Sequence, residues 1–224
     1  DPDYSPLEFA AARQRMVDAQ IRPAQVSNPD VVAAMRALPR EQAVPDALRA
    51  FAYADRCLPL GDERYLTEPR VTGRMLQVCE IRHGERVLVV GAGTGYLAAL
   101  LSTMGQGLDV TALESDRTLA DIGRALCFTW APDVHWHEGP LVRGMAENAP
   151  YDLIVIDGAV RHVPPALLEQ LAEGGRIIAP ICPDSGVTTV SRIVRPPQGS
   201  AAQPLFDAAV PLLPELEPAP AFVF

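Results

Sequence analysis

Four consecutive apolar residues, Val87-Leu88-Val89-Val90, run directly into Gly91-Ala92-Gly93-Thr94-Gly95, and a helical pattern starts at Tyr96. A strand, a glycine turn and a helix in that order constrain the chain more than any other feature. The glycines tolerate a tight turn and let a ligand approach the backbone, while the helix start offers unpaired N–H groups. The spacing then separates ligand classes. A dinucleotide loop repeats glycine at the sixth position, where this chain has Tyr96. A Walker-type phosphate loop needs a lysine, and all 19 basic residues here are arginine. Glu114 closes the next apolar run, Val110–Leu113, where a carboxylate can accept both hydroxyls of a ribose. Together, GxGxG and a ribose acid point to S-adenosyl-L-methionine.

Downstream the pattern alternates. Strands are expected at 86–90, 110–113, 134–136, 153–156, 176–181 and 187–194, with helices at 96–102, 119–128 and 165–171. Gly174-Gly175 reads as the stop of the last helix. Such alternation implies an α/β fold, a parallel sheet with helices on both faces. Upstream, residues 6–50 read as helices. Leu7, Ala11, Met16 and Ile21 keep helical spacing until Arg22-Pro23, Asn28 caps a short helix with Pro29 in its first turn, and another runs from Pro45-Asp46 through Ala50. Residues 58–69 read as a polar loop and 70–80 as a helix. The stretch 195–202 reads as a Pro/Gly/Ser loop, and 211–220, with four prolines, as irregular. We therefore expect an N-terminal helical extension with a substrate-side loop over 1–80, and a Rossmann-like core over 81–224, in one compact unit.

The net charge of −9 and pI near 4.9 argue against nucleic acid as a partner. No run of 18 apolar residues suggests a membrane span, Asp1-Pro2-Asp3-Tyr4 does not read as a signal sequence, and the cytoplasm is the expected compartment. Cys57, Cys79, Cys127 and Cys182 lack CxxC spacing and are expected to be buried free thiols. His135 and His137 would share one side of a strand, but no third ligand has suggestive spacing, so no metal is expected.

Several flanking segments then resemble one family, the protein-L-isoaspartate O-methyltransferases, over about residues 10–210. They include Ala34-Met35-Arg36-Ala37-Leu38-Pro39-Arg40-Glu41, Val44-Pro45, Ala52-Tyr53-Ala54-Asp55, Leu58-Pro59-Leu60, the glycine loop with Tyr96, Ala149-Pro150-Tyr151-Asp152 and Leu171-Ala172-Glu173-Gly174-Gly175-Arg176. The resemblance implies a Rossmann-like methyltransferase with a mostly parallel seven-stranded sheet. It also implies transfer of a methyl group from S-adenosyl-L-methionine to a carboxylate of a damaged aspartyl residue in a peptide or protein. Gly91, Ala92, Gly93, Thr94, Gly95 and Tyr96 would border the cofactor, with Glu114, Ser115, Gly139 and Asp157 completing its site. Where the family reads roughly Thr-Ile-Ser-x-Pro, this chain has Tyr65-Leu66-Thr67-Glu68-Pro69, so Thr67 would orient the acceptor carboxylate, with the charge of Glu68 beside it. Two family carboxylates are replaced, one by Val89 before the loop and one by Pro140 after Gly139. These departures keep two other readings open: a methyltransferase for a different small-molecule or peptide acceptor, and a non-catalytic descendant that binds a nucleoside or a protein partner.

Four weaker features remain. Asp157 ends a strand and could line the pocket or cap a helix. Arg161-His162 reads as a solvated loop. Phe128, Trp130 and Trp136 are expected to pack the sheet, and Tyr96 could border the ligand or merely pack the helix start.

Overall fold

A computed structural model describes residues 5–195 and 202–217. The N-terminal part begins with α1 (Pro6–Met16), closed at its start by a capping box between Ser5 and Glu8. The chain passes through a π-turn (Val17–Ile21) and a 3₁₀ turn (Arg22–Ala24), where Pro23 ends the run. Next comes α2 (Pro29–Ala37), whose first N–H groups bond to the Asn28 side chain. Two 3₁₀ turns, Arg40–Ala43 and Asp46–Phe51, lead to β1 (Leu58–Gly61) and β2 (Arg64–Leu66), and α3 (Pro69–Val78) follows.

The remainder is β3 (Arg86–Val90), α4 (Tyr96–Thr103), β4 (Asp109–Glu114), α5 (Arg117–Trp130), β5 (His135–Glu138), β6 (Tyr151–Ile156), α6 (Pro165–Glu169), β7 (Leu171–Ile181), β8 (Thr189–Val194) and β9 (Gln203–Asp207). Seven strands form one sheet in the order β5-β4-β3-β6-β7-β8-β9, parallel from β5 through β7 and antiparallel across β8 and β9. Along β3, Val87 and Val89 point into one apolar cluster with α4 and the N-terminal helices, while Leu88 and Val90 point into a second on the other face. All four are fully buried, as a central parallel strand should be.

Four expectations change. Residues 58–66 form an antiparallel hairpin, not a loop. Its turn places Asp62 and Glu63 at φ 46° and 58°, a conformation whose usual Asn-Gly signal the sequence lacks. Gly174-Gly175 lies inside β7, at an irregularity in its pairing with β6, and α6 already ends at Glu169. A Cβ on Gly175 would come within 2.9 Å of the Tyr151 carbonyl oxygen, so Gly175 serves a close strand approach, while Gly174 supplies a positive φ of 74°. Phe128 is 84% exposed and packs no sheet, and Trp130 is partly exposed and donates to Gln42; only Trp136 packs inward, against Gly123 and Gly95. Of the cysteines, Cys79 and Cys127 are buried and Cys57 and Cys182 are half-buried. Residues 196–201 of the expected 195–202 loop, and Pro218–Pro220 of the irregular stretch, lie outside the described residues. Among the described residues no helix is long and apolar enough to cross a membrane.

Candidate active site

Strand β3 is flanked by β4 on one side and β6 on the other, so chain order reverses there and a crevice opens at the strand ends. The β3 loop is tied down by its backbone. The N–H groups of Gly91 and Ala92 both donate to the Leu113 carbonyl at 3.0 Å, and Gly95 donates back to Ala92. Gly91 and Gly93 sit at φ 72° and 56°, which an L side chain reaches only with strain. Thr94 is buried, and its hydroxyl has no hydrogen-bond partner among the described residues.

Glu114 is fully buried at the end of β4. Its Oε2 accepts the Gly93 N–H at 2.6 Å, and its Oε1 accepts the N–H groups of Ser115 and Asp116, both at 2.9 Å. Arg64, from β2, adds a bidentate pair: Nη1 to Oε1 at 2.6 Å and Nη2 to Oε2 at 2.7 Å. Burial works to raise the Glu114 pKa. The hydrogen bond and charge of Arg64, with the Asp116 and Gly93 N–H groups, outweigh it and hold the carboxylate below its usual range.

Across the crevice, Thr67 donates its hydroxyl to Oδ1 of Asp157 at 3.5 Å. Thr67 is buried, and its carbonyl accepts from Nη2 of Arg40 at 2.8 Å. Arg40 is itself fully buried. It also donates to the Ala52 carbonyl at 2.7 Å and lies over the Tyr96 ring, 4.8 Å from the centroid. One guanidinium thus couples the acceptor loop to the helix that follows the glycine turn. Asp157 is partly exposed, but its carboxyl is shielded. Burial pushes its pKa up to about 7, against the opposing pull of Arg64 and Arg40 and the Thr67 hydrogen bond. No helix starts at Asp157, since α6 begins eight residues later at Pro165, so its position is explained by the crevice and not by capping.

The residues singled out from sequence separate into groups. Gly93 meets Glu114 directly, and Gly91 is tied to the Leu113 carbonyl just before it. Ser115 donates to Glu114 and so braces it, and the Gly139 N–H bonds the Glu114 carbonyl at 3.1 Å. Thr67 and Asp157 form the opposite wall. Tyr96 is turned away from the crevice, fully buried beneath Arg40. Val89 is core, and Pro140 precedes Leu141, whose N–H bonds the Glu215 carboxylate at 2.8 Å. Glu68 is paired with Arg70 at 3.1 Å, which draws part of its charge to the surface side. Arg161 is held by Glu217 and Asp184, while His162 is exposed.

Three residues in or over the crevice went unnoticed in the sequence as site residues: Arg40, Arg64 and Leu213. Arg64 lies 50 positions before its partner, in a stretch that reads as a polar loop. Leu213 sits in the proline-rich stretch. It packs so closely that a Cβ on Gly91 would be 3.0 Å from its Cδ1 and a Cβ on Gly158 2.4 Å from its Cγ.

Comparison with known proteins supplies a context. The family model for protein-L-isoaspartate(D-aspartate) O-methyltransferase matches residues 11–207. "Protein-L-isoaspartate O-methyltransferase 1" of Rhodopseudomonas palustris (strain HaA2) is 39% identical over 84% of this chain and 76% of its own length. The protein-L-isoaspartate O-methyltransferase of Methylorubrum populi is 38% identical over 84% of this chain and 88% of its own. Among solved structures, a protein-L-isoaspartate O-methyltransferase superposes with a TM-score of 0.78 at 25% identity, covering 92% of this chain and 67% of that one. A putative enzyme of the same name from Plasmodium falciparum, in complex with S-adenosyl-L-homocysteine, shares the fold at a TM-score of 0.75 and 18% identity over 92% of this chain and 98% of that one.

Proposed function

Because the chain belongs to the protein-L-isoaspartate(D-aspartate) O-methyltransferase family, we propose that it methylates a carboxylate of a damaged aspartyl residue in a peptide or protein, using S-adenosyl-L-methionine. One observation carries this reading: the ribose-type acid Glu114 and the glycine turn meet one end of the crevice whose other wall is the Thr67–Asp157 pair. The residues suit the cofactor. Gly93 offers backbone approach, with nothing nearer its missing Cβ than Leu60 at 3.9 Å, and the Thr94 hydroxyl is a buried polar group free to bond a ligand. Gly91 to Thr94, Glu114 and Gly139 would hold the cofactor, which supplies an activated methyl group.

The acceptor carboxylate is already a nucleophile, so the protein's task is alignment and exclusion of water. Thr67 provides a hydroxyl whose position is fixed through its carbonyl by Arg40. Asp157 in its protonated form presents an O–H donor; once ionised it places a like charge beside the approaching carboxylate. Titration of S-adenosylhomocysteine into the protein, followed by methyl transfer to an isoaspartyl peptide, tests the reading. Binding without transfer would leave a methyltransferase for another acceptor, and no binding by this chain or by the crevice-opening variants described below would end the enzyme reading.

Two expectations follow from this wall. Thr67→Val removes a hydrogen bond to a charged group, worth about 1.5–3 kcal/mol, and should lower kcat/KM roughly 10- to 100-fold while Thr67→Ser retains activity. For Asp157, kcat/KM for an anionic acceptor should fall as pH rises through about 7, and Asp157→Asn should flatten that limb. The sign for stability is the same. Between the unfolded value of 3.8 and about 7, the folded chain holds a proton the unfolded chain has lost, so stability declines as pH rises across that window. Denaturant melts of wild type and Asp157→Asn at pH 5 and pH 7 would show a pH difference in the first that shrinks in the second.

A further inference from the structure

We propose that the β1–β2 hairpin and the 211–216 segment form a latch over the cofactor crevice, in which Arg64 occupies the hydrogen-bonding positions of Glu114 that the cofactor's ribose must take. The inference rests on the cofactor reading above.

The acceptor capacity of Glu114 carries the case. A carboxylate offers about four lone-pair sites. Glu114 already receives five N–H donors within 2.9 Å: Gly93, Ser115, Asp116 and two from Arg64. No place remains for the two hydroxyls of a ribose. The backbone donors belong to the fixed loop ends and cannot leave without dismantling them. The Arg64 bonds can leave, and they occupy one position on each oxygen, the pair of places a vicinal diol needs. Arg64 also stands beside the turn of a two-stranded hairpin outside the main sheet; Leu58 and Leu66 anchor the hairpin in the core, while the turn end and the long Arg64 side chain can swing out without unseating them.

The second half of the latch approaches from the other side. Leu213 spans Gly91 and Gly158, the loops after β3 and β6, and is buried. Its segment is fastened by three backbone and side-chain links. The Leu213 N–H donates to Ala159 at 2.8 Å, the Ala159 N–H donates to Pro211 at 2.9 Å, and the Glu215 carboxylate accepts the Leu141 N–H. Between Arg64, Thr67, Asp157 and Leu213 the cavity is about 10 Å³, room for roughly one water molecule. A cofactor therefore binds only the fraction of molecules in which the latch is open, and its apparent affinity is lowered by that fraction.

Calorimetric titration of wild type, Arg64→Ala and Leu213→Ala with S-adenosylhomocysteine tests this, together with hydrogen exchange of the 58–66 amides. The latch requires Arg64→Ala to bind at least tenfold more tightly than wild type and Leu213→Ala several-fold more tightly. It also requires faster exchange in the wild-type hairpin when ligand is added. Wild-type binding with no gain in either variant, or a hairpin better protected with ligand, would overturn the latch and leave the cofactor reading standing. No heat from any of the three proteins would overturn the cofactor reading and the latch with it. Should Arg64→Ala fail to fold, Leu213→Ala and the wild-type exchange data decide between the same outcomes.

Discussion

A Glu114→Ala chain is expected to lose about 3–5 kcal/mol of stability together with measurable S-adenosylhomocysteine binding. The substitution strands the Arg64 guanidinium in a crevice where its side chain is 10% exposed, and it removes the acceptor of three backbone N–H groups. For a chain of this length the loss corresponds to a Tm lower by about 6–20 °C, readable in a thermal melt. The reciprocal change is milder. In Arg64→Ala, Glu114 keeps its three backbone donors, so its charge stays solvated by the loop, whereas in Glu114→Ala the Arg64 charge keeps only the weaker influence of Asp157 and Asp116 and loses its bidentate partner. A double-mutant cycle should therefore show Glu114→Ala costing more than Arg64→Ala, with coupling between them. Equal costs would mean that Arg64, and not the backbone, is the principal support of the acid.

The second large effect lies away from the crevice. Arg176, 3% exposed near the middle of β7, donates to both oxygens of Glu85 at 2.7 and 2.9 Å and twice to the Cys79 carbonyl at 2.8 and 2.6 Å. It also reaches the Glu80 and Asp152 carbonyls. One guanidinium thus fastens the end of α3 to the start of β3 and to the sheet. Arg176→Ala leaves a nearly buried carboxylate and unfilled helix-end carbonyls, and should cost about 3–5 kcal/mol in a urea melt. Arg176→Lys should recover little of it, because an ammonium cannot reproduce the forked geometry. Pairing Arg176→Met with Glu85→Leu should recover much of it, since no charge is then stranded.

The parts of the fold that were legible in the sequence are those set by local pattern. The strand from 86 to 90, the glycine turn, Glu114 at the end of its strand and the Asn28 cap each depend on neighbours within a few residues, and each stands where the pattern puts it. The hairpin at 58–66 was hidden because its turn uses Asp62 and Glu63 in place of glycine or asparagine. Strand β9 was hidden by Pro204, which an edge strand tolerates and a central one does not. In the site, the glycine end was readable for the same local reason. Arg40, Arg64 and Leu213 were not, since each acts through a partner between 12 and 122 positions away, and no periodicity records such pairs.

The fastening of Leu213 to Ala159 has a consequence for timing. The two lie about 50 residues apart, which at ribosomal rates is roughly 3–10 s of synthesis. During that interval the glycine turn, the Glu114 acid and the β6 loop have all been made, and the segment that covers them has not. Each newly made molecule therefore passes once through a stage in which its crevice lacks one of its two covers.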